Sequence, residues 1–73
     1  MDYTKLNESL KDEYNDVIKY VDFFKKSNNA IFRDIAREEF THAKHLKNIL
    51  LEAGKLDAAS DLEDEAKAAL DDV

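Results

Sequence analysis

Apolar residues recur along the first half of the chain at Tyr3, Leu6, Leu10, Val17, Tyr20 and Phe24. The steps alternate three and four, the period of one face of an α-helix, and Glu13 takes the one position the series leaves polar. A second stripe, Tyr14, Ile18 and Val21, runs beside it and makes this face too wide for one partner helix. The pattern predicts a helix over 2–26. Further on, Phe32, Ile35, Glu39, His42, Leu46, Ile49 and Ala53 repeat the same alternation, with Ala36, Phe40, Ala43 and Leu50 as their second stripe. This predicts a second helix over 30–53. Ser27, Asn28 and Asn29 supply turn and N-cap chemistry between the two, and Gly54 is suited to ending the second.

So short a connection makes the two helices antiparallel neighbours. Folding the chain back at the turn sets Tyr20 level with Ile35, Leu10 near Leu46, and Glu13 level with His42. Glu39 then lies about 4–5 Å along the axis from that level, at the helical rise of about 1.5 Å per residue. Three polar side chains thus interrupt the two apolar seams in one layer. After Gly54, Asp57 or Ser60 can start a shorter helix, with Ser60 and Glu63 spaced as a capping box. Ala59, Leu62, Ala66, Ala69 and Val73 give that helix a thin apolar edge, fit to dock on the hairpin, to meet a neighbouring subunit, or to fray. The expected architecture is all-α: a two-helix hairpin over 1–56 and an acidic C-terminal helix over 57–73.

Composition narrows the chemistry. Seventy-three residues make one small domain whose core alone is marginal. Without cysteine, disulfides and thiolate-bound metals are unavailable as stabilisers. Metals held by carboxylate and imidazole, oligomerisation, or tight helix packing remain. Residues 1–56 hold ten acids and ten bases, whereas 57–73 hold seven acids and one base, Lys67. No basic stripe exists for nucleic acid. No apolar run approaches the roughly 20 residues of a membrane span. A cytoplasmic chain is expected.

The layer of Glu13, Glu39 and His42 is the candidate site. A buried, unpaired carboxylate costs several kcal/mol, a large share of what so small a domain holds. Converging oxygen and nitrogen donors suit Fe, Mn or Zn, and a bound dication offsets the burial. The alternative is a hydrogen-bonded polar layer that fixes helix register. Tyr20 reads equally as core and as a partner of the site. His45 and Glu38 fall off the seam as surface residues. Asp12 and Asp16 flank Glu13, either as solvated acids or as a cation path.

Glu13 and Tyr20, as Glu-x6-Tyr, resemble the first-helix element of rubrerythrins. The run from Ile35 to Ala43, with Glu39-x-x-His42, resembles their second-helix motif, and Leu50-Leu51-Glu52-Ala53-Gly54 resembles the helix end in bacterioferritin-type chains. Over 6–56 the chain therefore resembles the ferritin-like di-iron carboxylate family. The resemblance implies a terminal carboxylate ligand in Glu13, a bridging one in Glu39, a terminal imidazole in His42, and a hydrogen bond from Tyr20 to a ligand carboxylate. The chain holds one Glu-x-x-His helix where a full ferritin-like chain holds two. In this it is similar to the encapsulated ferritin-like proteins, whose two-helix subunits pair to complete a four-helix bundle. A homodimer or higher even-numbered oligomer is then expected, with a di-iron site (or manganese) across its two-fold axis. The resemblance extends to an encapsulin-type shell as partner, although residues 68–73 carry no evident addressing peptide. The implied activity is a ferroxidase that oxidises Fe(II) for storage. The alternatives are a di-iron or di-manganese enzyme that removes peroxide, and a non-enzymatic helical oligomerisation module.

Overall fold

The computed structural model describes residues 1–57 and 60–73, and they form three helices with no strand. Helix α1 spans Tyr3–Ser27, α2 spans Ala30–Ala53 and α3 spans Ser60–Asp71. Each end has a local cause. Asp2 stands just outside α1 as its N-cap, its carboxylate accepting from the backbone N–H groups of Thr4 and Lys5 at 3.1 Å. At the other end Asn28 adopts the left-handed conformation (φ 57°) and donates its N–H to the Phe24 carbonyl. Asn29 then caps α2 by accepting from the Ile31 N–H. Gly54 closes α2 at φ 66°, a conformation a Cβ would strain. The third helix begins at Ser60 rather than Asp57; Ala59 lies outside the described residues.

The chain from α2 to α3 is pinned by Asn7 of α1. Its amide donates to the carbonyls of Tyr3 (2.8 Å) and Lys55 (2.9 Å) and accepts from the Asp57 N–H (2.8 Å). Every polar group of this buried side chain is used, which is the condition for burying it at all. Nothing in the apolar pattern singles Asn7 out.

The core differs from the expected one in which stripe it buries. Leu10, Tyr14, Val17 and Val21 of α1 pack with Ala36, Ala43 and Leu50 of α2 and Ala66 of α3. Most of these belong to the second stripes. The first seams are only partly covered: Leu6, Tyr20, Phe24, Phe32, Ile35 and Leu46 are half-buried, and Ile49 is 43% exposed. The reason is the position of α3. It lies on one side of the hairpin, where Leu62, Ala69, Leu70 and Val73 extend the core. Of the fates open to this thin helix, docking on the hairpin is the one observed. Its docking leaves the molecule with a covered face and an open face.

Candidate metal centre

Glu13, Glu39 and His42 stand together on the open face. His42 Nδ1 lies 3.6 Å from Glu39 Oε1 and 4.0 Å from Glu13 Oε2. The ligand-type atoms of all three fall within 4.8 Å of one another. The helical period sets Glu39 and His42 one turn apart on α2, and the antiparallel turn brings Glu13 across from α1. The level assignment made from the sequence therefore holds. The expectation of a dry layer does not hold for a single copy: His42 is 57% exposed, while the carboxylates are sheltered at 23% (Glu13) and 20% (Glu39).

The shelter has an electrostatic consequence. Burial, then the Glu39 carboxylate (as hydrogen-bond acceptor for protonated Glu13 and by its charge), then Asp16 and Asp12, push the Glu13 carboxyl up to about 7. Glu13 Oε2 is fully shielded from solvent and has no hydrogen-bond partner; Arg33 Nε is the other such atom among the described residues. A shielded oxygen without a hydrogen bond, beside a second carboxylate, would be stabilised by a cation.

The donor set fits a first-row divalent metal. Ligands held about 2.1 Å from one ion stand roughly 3.0–4.2 Å from each other; the two His42–carboxylate separations of 3.6 and 4.0 Å lie in that span, and the whole set lies within 4.8 Å, so that a small side-chain adjustment would bring it onto one ion. Two carboxylates and one imidazole are three donors, fewer than the four to six such ions commonly take.

The other sequence candidates separate from this cluster. Tyr20 lies two helical turns beyond Glu13 and joins an aromatic group, its ring 6.3 Å from Phe32 and 5.8 Å from Phe23. Among the described residues no hydrogen bond joins its hydroxyl to Glu13, Glu39 or His42. His45 and Glu38 are exposed. Asp16 pairs with Lys19 at 3.3 Å, and Asp12 is exposed; both bear on the site through their charge on Glu13.

One group escaped the sequence reading. On the covered face, Glu63 of α3 accepts from the Tyr14 phenol at 3.0 Å and from Lys47 at 2.8 and 2.9 Å. The spacing that suggested a capping box instead sends this carboxylate inward. Lys47 lowers the Glu63 pKa, with Tyr14 adding to the effect against burial. Burial and the hydrogen bond to Glu63 raise that of Tyr14. A glutamate on the inner edge of an alanine-rich helix is the only signal the sequence offers, and it does not name the partners. Compared with protein-family models, curated proteins and solved structures, the chain matches none, so the functional reading rests on this geometry.

Proposed function

We propose that the chain binds iron through Glu13, Glu39 and His42, and that two copies pair across their open faces into a ferritin-like four-helix bundle that oxidises Fe(II). The observation that carries this reading is the convergence of three ligand-type side chains on an otherwise apolar, uncovered face, one of them with a shielded and unpartnered oxygen. One copy offers too few donors for an ion of this class, and a two-fold axis through the face sets the three residues against their own copies. In that arrangement Glu13, Glu39 and His42 of the two copies would together hold the ions. Ile35 and Leu46, neighbours on the same face, exclude water.

Iron held there supplies one-electron redox chemistry. Fe(II) is the substrate; two such ions give up one electron each, enough with two protons to take one peroxide to two waters. The chain's part is to neutralise charge with four carboxylates per pair and to let Glu13, whose carboxyl holds a proton near neutrality in the free site, release it as the metal enters.

Aerobic Fe(II) titration followed by absorbance tests the reading. The parent chain oxidises Fe(II) at least about tenfold faster than the His42→Ala chain, the scale on which losing metal-site groups acts; equal rates overturn the ferroxidase. Comparing turnover with H2O2 and with O2 decides between iron oxidation and peroxide removal, which share these ligands. A non-enzymatic oligomerisation module is favoured by the exposed aliphatics alone, Ile31 at 61% and Leu51 at 53%. It predicts an even-numbered oligomer with no metal, which metal content per chain measured alongside solution mass distinguishes.

A further inference from the structure

Behind the carboxylate–imidazole layer, on the covered face, stand Tyr14 and Phe40, the residues that follow Glu13 and Glu39 in the chain; their rings meet at 6.2 Å. Successive residues of a helix point about 100° apart. The same turns of backbone that aim Glu13 and Glu39 at the open face therefore aim Tyr14 and Phe40 at the covered one. Whatever holds the Tyr14 side chain also holds the backbone that carries Glu13.

Glu63 holds it. Its Oε2 takes the Tyr14 phenol at 3.0 Å and the Lys47 ammonium at 2.8 Å, and its Oε1 takes the same ammonium at 2.9 Å. Lys47 stands five residues after His42 on α2. One carboxylate of α3 thus ties both ligand-bearing helices, and the tie is partly sheltered, with Lys47 32% and Glu63 26% exposed. Helix α2 also meets α1 through Ala36, Ala43 and Leu50 and through the Tyr14–Phe40 and Tyr20–Phe32 ring pairs, and the Glu63 tie is the polar contact that holds both helices close to Glu13 and His42. Metal–ligand distances tolerate only about 0.2 Å.

We infer that Glu63 is a positioning residue for the metal centre: through Tyr14 and Lys47 it steadies the stretches of α1 and α2 that carry Glu13, Glu39 and His42, so that the three side chains hold the spacing a metal needs. The inference rests on the metal reading above. The bland role for the same contacts is docking of α3, and the two roles separate in what they do to metal binding at a temperature where every variant is folded.

Co(II) is the probe, titrated without oxygen into the full chain and read by its visible absorption, which reports ligand number and geometry. Glu63→Ala and Tyr14→Phe bind Co(II) about tenfold more weakly than the parent, as loss of groups that orient metal ligands does. Their spectra are changed and their helix content by circular dichroism is not. Glu63→Gln, which keeps an acceptor for Tyr14 but loses the charge that holds Lys47, falls between. Should Glu63→Ala fail to fold, Tyr14→Phe, a loss of one hydroxyl, and Glu63→Gln carry the test. Parent-like affinity and spectrum in the folded variants overturn the positioning role while the metal site stands. A parent chain that binds no Co(II) overturns the metal reading and this inference with it.

Discussion

The hairpin has two apolar faces built from the same kind of pattern and finished in opposite ways. On the covered face Leu10, Tyr14, Val17, Ala43 and Leu50 are sealed by α3, and the carboxylate there, Glu63, has a phenol and an ammonium on it. On the open face Ile31, Ile49 and Phe23 are exposed (61%, 43% and 41%), and the carboxylate there, Glu13, has a shielded oxygen with no hydrogen-bond partner. A small chain can afford one complete face by its own means. The incomplete one combines what a second copy can cover with what a cation can neutralise, and this difference between the faces is what can be broken experimentally.

The largest effect belongs to the covered face. Leu50 is fully buried among all three helices' core residues. Truncating it to alanine leaves a cavity and lowers stability by about 3 kcal/mol, within the 2–5 kcal/mol usual for such changes. Urea unfolding followed by circular dichroism measures it. A loss below about 1 kcal/mol would mean that this face is not the core.

That division into faces was half legible beforehand. The three-and-four spacing located both long helices, and Asn29 and Gly54 marked their ends, because these are local features of helix geometry and capping. The meeting of Glu13 with Glu39 and His42 was legible too, since a three-residue turn leaves little freedom of register. Which stripe would be buried was not. Two adjacent stripes of similar hydrophobicity are equivalent until α3 chooses a side, and that choice depends on Asn7 pinning the chain at Lys55 and Asp57 and on Glu63 reaching Tyr14 and Lys47. These are contacts between residues 16 to 50 positions apart. No periodicity records them.

Metal brings the next effect, on the open face. Free Co(II) or Zn(II) at a hundred times its dissociation constant raises stability by about 2.7 kcal/mol, seen as a higher melting temperature. Glu39→Ala and His42→Ala abolish the rise. With chelator present, Glu39→Ala is at least as stable as the parent, because it removes the negative charge that disfavours Glu13. A metal-dependent rise that survives both substitutions would place the ions elsewhere.

The faces also differ in the sign of their response to pH. Glu63 is held below the ordinary carboxylate value of 4.5, first by Lys47, so its stabilisation is present above that value and is lost as pH falls through its lowered folded pKa. Glu13 is pushed up to about 7, first by burial. Its favourable state is the protonated one, present in full below 4.5 and lost as pH rises through 7. In chelator, Glu13→Gln therefore stabilises the chain by about 1–3 kcal/mol at pH 8 and changes little at pH 4. Glu63→Gln does the reverse, destabilising at pH 7 and converging on the parent in acid. Parallel pH profiles for the parent and Glu13→Gln would show that the open-face carboxylate carries no strain.

The smallest expected effect tests the openness itself. Ile49 projects from the open face with 43% of its surface in solvent, one turn beyond Leu46. In a dilute, dissociated chain Ile49→Asp changes stability by no more than about 0.5 kcal/mol, as exposed substitutions do. Yet the same charge, set on a face that a second copy covers, must be desolvated whenever two copies meet, and sedimentation should find it monomeric at concentrations where the parent is paired. The combination is diagnostic because the two terms have separate origins: the first reports what the chain covers by itself, the second what only a copy covers. If Ile49→Asp weakens the dilute chain by 2 kcal/mol or more, about what an apolar side chain gains on full burial, the face is already packed within one copy. If parent and variant sediment alike, nothing pairs there, and three donors are all the site has.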